Sequence, residues 1–139
     1  MSEVVLDTNV LLDLASAARP CHGDAIAALT ACAEGGVRAL APASSWKDVY
    51  FIFARRYGTE TEAREAVCVL RRSVGTVDVT DDIVERALFS DEPDFEDGIV
   101  RAIAEDAGAD WIVTRDAAAF EHSAVRSIAP ARLAERLSG

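Results

Sequence analysis

Short apolar runs alternate along the chain with segments whose apolar positions recur every three or four residues. Val4-Val5-Leu6 is a β-branched apolar run that halts at Asp7 and predicts a buried strand. Residues 9–14 follow as a helix, with Thr8 or Asn9 as its cap, and Arg19-Pro20 breaks it. Residues 24–34 are Ala-rich and predict a second helix that turns Ile26 and Leu29 inward and stops at Gly35-Gly36. Residues 37–41 predict a strand closed by Pro42. Ser45 and Asp48 have the spacing of a capping box for a third helix reaching Tyr57, with Asp48 in its first turn. A fourth helix opens at Thr59 or Thr61 and ends near Arg72. Residues 77–79 alternate as a strand, and Thr80 caps the helix that begins at Asp81. After an acidic loop at 90–94, residues 95–107 carry Ile99, Val100, Ile103, Ala104 and Ala107 on one helical stripe. Residues 111–114 form an apolar strand, followed by a short helical turn to Phe120, a last strand at 125–128 and a last helix at 131–137.

Strands of this kind separated by helices imply a parallel sheet covered on both faces, an α/β architecture that collects ligands outside the carboxyl ends of its strands. With 139 residues and no repeat or low-complexity linker, the chain reads as a single domain, 1–139. No apolar run approaches the roughly 18 residues of a membrane helix. The opening Met1-Ser2-Glu3 has no basic or long apolar leader, so no membrane association and a cytoplasmic location are expected. Three cysteines, none in C-x-x-C spacing, and two isolated histidines give neither a zinc pattern nor a disulfide framework. The thiols of Cys21, Cys32 and Cys68 are expected to be buried or half-buried.

A net charge of −10 argues against indiscriminate binding of nucleic acid over the whole surface. It is compatible with a pocket of carboxylates that holds a cation. Asp7 ends the first strand, and Asp116 lies just past the 111–114 strand. Asp48 and Asp97 are placed near helix starts, which lie close to the carboxyl ends of the preceding strands. Each acid alone has a local explanation as a cap, an Asx turn or a partner of the helix dipole. Together on one rim they would repel each other unless a cation sat among them. Oxygen-only ligation suits Mg²⁺ or Mn²⁺, either of which makes a bound water nucleophilic and screens a phosphoryl group. No Ser/His/Asp spacing, G-x-S-x-G or phosphate-cradling glycine loop offers another route.

The residues that carry these acids also resemble a known family. Val5-Leu6-Asp7-Thr8-Asn9-Val10-Leu11-Leu12 is similar to the opening of PIN-domain proteins. Pro42-Ala43-Ser44-Ser45-Trp46-Lys47-Asp48 is similar to their segment carrying the second acid, and Asp94-Phe95-Glu96-Asp97-Gly98-Ile99 to the third acidic block. Ala109-Asp110-Trp111-Ile112-Val113-Thr114-Arg115-Asp116 is similar to the fourth. The resemblance implies a PIN-like three-layer α/β/α sandwich with a central parallel sheet of four or five strands. It also implies a Mg²⁺- or Mn²⁺-dependent ribonuclease, like the small bacterial toxins of the VapC type, which pair with a protein antitoxin and are usually homodimers. On that resemblance Asp7, Asp97 and Asp116 hold the metal, and Asp48 completes the cluster or positions the attacking water. Thr8, Asn9 and Thr114 orient carboxylates, with Asp94 as a helper. Two positions depart from the family pattern: Asp48 stands where the toxins commonly carry Glu, and Gly98 where Ala is usual.

An RNA strand needs positive charge near the acids. Arg55, Arg56 and Arg115 are the candidates, alongside the Arg71-Arg72 pair, and Tyr57 is placed to stack on a base. Trp46, Phe51 and Phe53 read as core or dimer interface. Three other readings stay open. One is a non-catalytic PIN-like module that binds RNA or protein. A receiver-type phosphoacceptor would need a second acid beside Asp7 and a late lysine, yet the sole lysine is Lys47. A dehalogenase-type phosphatase would need Asp where Asn9 stands.

Overall fold

Alternation along the first strand divides the interior into two cores. The computed structural model describes residues 1–139, and its first strand, β1 (Glu3–Leu6), turns Val4 and Leu6 to one apolar cluster and Val5 to the other. In chain order there follow α1 (Thr8–Ala15), α2 (His22–Glu34), β2 (Arg38–Pro42), α3 (Ala43–Arg56), α4 (Glu60–Ser73) and β3 (Gly75–Val77). The remainder comprises α5 (Asp81–Leu88), α6 (Phe95–Ala107), β4 (Trp111–Val113), β5 (Ser127–Ile128) and α7 (Pro130–Ser138). The same alternation recurs in β2, where Ala39 and Ala41 face the first cluster and Leu40 the second, and in β4, where Val113 and Ile112 divide likewise.

The five strands are all parallel, in the order β3-β2-β1-β4-β5. The first core joins one face of this sheet to α1, α2, α3, α4 and α7, and the second joins the other face to α5 and α6. These are the three layers expected of the chain. The sheet grows from β1 in one direction through β2 to β3 and in the other through β4 to β5. The boundary between β1 and β4 is therefore the switch point, and the crevice beyond their carboxyl ends is where such a fold binds ligands. No helix is long and apolar enough to cross a membrane.

Local departures from the sequence reading have physical causes. Helix α3 begins at Ala43, directly after β2, with Pro42 in extended conformation as its N-cap and no side-chain cap. Pro42 closes the strand and hands the chain straight to the helix. The expected Ser45–Asp48 capping box does not form, and Asp48 lies in the second turn. The stretch after β4 is a turn rather than a helix, and Phe120 adopts φ 66° within it. The third strand lies at 75–77 instead of 77–79 because Leu40, Ala41 and Pro42 of β2 pair with Gly75, Thr76 and Val77. In α2 the buried face is made of Ala25, Ala28, Ala31 and Cys32, while Ile26 is exposed. Its small side chains bring the helix close to α7, the element it contacts most. Trp46 is core, its indole N–H donating to Thr76 Oγ1 at 2.9 Å, whereas Phe51 faces outward. Cys32 is buried and Cys21 half-buried, but Cys68 is exposed, contrary to expectation.

Candidate functional site

Asp7 is the anchor of the switch-point crevice. Its backbone N–H donates to Val113 O at 2.9 Å, carrying the β1–β4 ladder one residue beyond the strand. Its side chain is buried. Oδ1 accepts from the Thr8 N–H at 2.8 Å, which caps α1. Oδ2 accepts from Thr114 Oγ1 at 2.8 Å and from Asn9 Nδ2 at 3.2 Å. Even with these donors, burial raises the Asp7 carboxyl above the usual carboxylate range, and the charges of Asp116 and Asp94 push it the same way.

The other two acids expected to hold a metal share this field. Asp97 lies in the first turn of α6, which Asp94 caps by accepting the Asp97 N–H at 3.2 Å. The Asp97 carboxyl is pushed up to about 7 by burial and by the charges of Asp7, Asp94, Glu92 and Asp116. Asp116 is exposed on the turn after β4. Its backbone N–H donates to Thr114 Oγ1 at 3.1 Å, and its Oδ1 accepts from the N–H groups of Ala118 and Ala119 at 3.0 and 3.3 Å. Thr114 thus links Asp7 and Asp116 through one hydroxyl.

Asp48 meets the site through a neighbouring acid. Its charge acts on Glu96, a residue the sequence reading passed over. Burial raises the Glu96 carboxyl, and Asp48 is the strongest of the neighbouring charges that add to it. Glu96 Oε1 accepts from Ser45 Oγ at 3.1 Å and from Thr8 Oγ1 at 3.4 Å. The same two hydroxyls stand 3.1 Å apart, so Thr8, Ser45 and Glu96 tie the starts of α1, α3 and α6 together. The available signal was position alone: Glu96 precedes Asp97 in the same helical turn.

The arginines expected to meet RNA divide as well. Arg55 and Arg56 are exposed in the last turn of α3. Arg115 sends its Nε to Asp13 Oδ2 at 2.6 Å, while Arg19 Nε reaches the other oxygen of Asp13 at 2.7 Å. Tyr57 is not a free stacking surface. The Arg19 guanidinium lies 5.8 Å from its ring centroid and donates to its hydroxyl at 3.0 Å, with Phe53 at its side.

The donors around the crevice are all oxygens, carry excess negative charge and keep at least one carboxyl poised near neutrality. That chemistry fits a hard divalent ion. No three His, Cys, Asp or Glu side chains are placed as a ready ligand set, so an ion here would take one or two carboxylates directly and keep several waters.

A search of curated protein sequences gives no significant match. Solved structures share the fold. They include VapC20 of Mycobacterium tuberculosis, described as a toxin that cleaves the sarcin-ricin loop: 22% identity and TM-score 0.64 over 78% of this chain and 86% of that one. A toxin–antitoxin complex from Klebsiella pneumoniae matches at 22% identity and TM-score 0.65, covering 91% of this chain and 97% of that one. VapBC2 from Rickettsia felis, bound to a DNA fragment from its promoter, matches at 9% identity and TM-score 0.68 over 91% and 98%. A family profile described as PIN domain spans residues 3–118, from the strand that leads into Asp7 to the turn that carries Asp116, and the chain belongs to the PIN-domain family.

Proposed function

We propose that this protein is a metal-dependent endoribonuclease that hydrolyses RNA phosphodiester bonds at the β1–β4 crevice, and that it is the toxin of a toxin–antitoxin pair. The observation that supports the reading is the position of Asp7, Asp97 and Asp116 around the switch-point crevice of a PIN domain, where burial first, and then the charges of Asp7, Asp94, Glu92 and Asp116, push the Asp97 carboxyl up to about 7. A cluster of this kind is costly in an empty crevice and becomes favourable around a divalent cation. VapC20, which shares the fold, is described as a cleaving toxin, and another similar structure is a toxin–antitoxin complex.

Asp7, Asp97 and Asp116 would hold Mg²⁺ or Mn²⁺, directly or through water. When bound, the ion supplies a water of lowered pKa and charge stabilisation at the phosphoryl oxygens. Thr114 and Asn9 aim the Asp7 carboxylate by donating to Oδ2, and Thr8 fixes Oδ1. Asp48 with Glu96 completes the acidic rim on the α3 side and positions the water that attacks phosphorus. Cleavage in this scheme needs no protein nucleophile, in keeping with a rim that holds no serine–histidine pair.

An RNA- or protein-binding PIN module without cleavage is the second reading, favoured by the lack of a ready three-acid ligand set. One assay separates them. The purified protein is incubated with mixed tRNA and mRNA and Mg²⁺ or Mn²⁺, against EDTA and Asp7→Asn controls. Metal-dependent cutting lost in Asp7→Asn supports the nuclease. RNA retained but uncut by folded, metal-supplemented protein supports the binding module. The antitoxin and a homodimer are tested by co-purification with a neighbouring small protein and by light scattering.

A further inference from the structure

The strongest unexplained feature lies outside the acidic rim, in the middle of α1. Asp13 sits among Val10, Leu11, Leu12 and Leu14, and its side chain is 1% exposed. Burying a carboxylate there is expensive, and an apolar residue of similar size would pack without cost. The carboxylate is matched by two guanidiniums, each bound through Nε: Arg19 at 2.7 Å on Oδ1 and Arg115 at 2.6 Å on Oδ2. The two arginines are not equivalent. Arg19 is 16% exposed and spends Nη1 on the Tyr57 hydroxyl. Arg115 is 36% exposed, and Nε is the only part of its guanidinium that bonds to the protein.

This arrangement leaves Nη1 and Nη2 of Arg115 without a protein partner while Nε is held by Asp13. One arginine cancels the charge of Asp13, so the second charge is left over and faces solvent. It also stands beside the crevice. Asn9 and Asp13 are four residues apart on one face of α1. Asn9 donates to Asp7 Oδ2, and its Oδ1 receives the Arg115 N–H at 3.5 Å. Arg115 lies between Thr114 and Asp116, whose side chain and backbone engage Asp7 and each other.

We propose that Arg115 contacts a backbone phosphate of the RNA strand next to the scissile bond, and that buried Asp13, braced by Arg19, is the positioning residue that aims it. The inference rests on the ribonuclease reading above. A planar fork with two free NH2 groups is the donor geometry that a phosphate diester accepts. The contact reads charge and not base identity, so it serves any sequence.

The test is binding of a labelled single-stranded oligoribonucleotide of mixed sequence to the Asp7→Asn protein, in Mg²⁺ buffer over a range of salt. In that background Arg115→Ala is expected to weaken binding about tenfold, the scale of one charge-assisted contact, and to lower the slope of log affinity against log salt by about 0.7, the value for one phosphate on a single strand. Asp13→Asn, with Arg115 intact but unaimed, is expected to move both readouts the same way. Melting curves of each variant show whether the protein is folded at the assay temperature. If the Asp7→Asn parent binds RNA and Arg115→Ala changes neither affinity nor slope, the subsite is wrong while the ribonuclease reading stands. If only Asp13→Asn leaves both unchanged in folded protein, Asp13 is structural and the positioning role is wrong. If the parent binds no RNA and the wild type cuts none, the ribonuclease reading fails and the subsite fails with it.

Discussion

The hydroxyl of Thr114 donates to Asp7 Oδ2 at 2.8 Å while accepting the Asp116 N–H at 3.1 Å. One buried side chain therefore bonds to two acids that follow different strands, Asp7 after β1 and Asp116 after β4. Thr114→Val keeps the shape and removes both bonds, together with the one that Asn9 Nδ2 donates to the same hydroxyl at 3.4 Å. It leaves Asp7 Oδ2 with Asn9 as its remaining donor and is expected to cost about 1–3 kcal/mol of stability. Cleavage is expected to fall, because Asp7 and the Asp116 turn lose their common reference. Thr114→Ser should restore most of both. Urea denaturation together with RNA cleavage checks the pair; a valine variant as active and stable as wild type would remove the link.

The acidic rim predicts an inverted pH dependence of stability. Asp97 has a folded pKa of about 7 against an ordinary value of 3.8. Between those values the folded state binds more protons than the unfolded one, so stability falls as pH rises through that window. Asp7 and Glu96 are raised as well and act in the same sense. In EDTA the melting temperature is expected to climb as pH is lowered from 8 to 6, and Asp97→Asn should flatten much of that climb. Added Mg²⁺ should stabilise more at pH 8 than at pH 6, because the ion competes with protons for the same oxygens. A melting temperature in EDTA that drops on acidification over this range would contradict the electrostatics described for the rim.

Gly98 has a packing reason. A Cβ placed there would stand 3.1 Å from the Cα, Cβ and O of Ala87. Helices α5 and α6 meet backbone to backbone at this point, and Gly98 is the residue next to Asp97. Alanine has the better helix propensity by roughly 1 kcal/mol, but it must push two helices apart, an overpacking cost of about 1–3 kcal/mol. Gly98→Ala is expected to lower stability by up to about 2 kcal/mol on those figures and to reduce cleavage by displacing the start of α6. Ala87→Gly in the same chain should recover part of the loss by relieving the contact. Thermal denaturation of the single and double variants decides it.

The placement of the acids was legible because each is tied to a local event. Asp7 stops an apolar run, Asp116 follows another, and Asp97 opens a strongly periodic helix. Parallel pairing then brings strand ends to one edge, and no long-range detail is needed. What escaped depends on tertiary contact. Glu96 is one more charge in an acidic stretch until Thr8 and Ser45 are brought to it from α1 and α3. Asp13 left a trace, a charge inside Val10-Leu11-Leu12-Asp13-Leu14, but its partners come from residues 19 and 115 and no spacing announces them. The capping-box reading of Ser45 and Asp48 failed because Pro42 starts α3 without a side-chain cap, which frees the Ser45 hydroxyl for Glu96. The inward reading of Ile26 failed because α2 packs through alanines, and periodicity weighted by residue size favours the larger side chain.

Asp48 and Glu96 are expected to work as a pair. Asp48 is one methylene shorter than a glutamate would be, and it sits a full turn into α3. Glu96 approaches from α6, on hydroxyls of Thr8 and Ser45, and the charge of Asp48 is the largest neighbouring influence on it. Asp7→Asn removes the carboxylate at the centre of the rim and is expected to abolish cleavage. Asp48→Asn leaves Glu96 in place and should retain measurable activity, as should Glu96→Gln with Asp48 in place. The double variant should lose more than either single change, though less than the product of the two losses, since residues that share a partner are not independent. Each single change also relieves repulsion, so both proteins should melt higher than wild type in EDTA while gaining less from Mg²⁺. Cleavage rates and melting curves of the four proteins form a double-mutant cycle. Full additivity in both readouts would show that the two acids act apart, with Glu96 then serving only to join the starts of α1, α3 and α6.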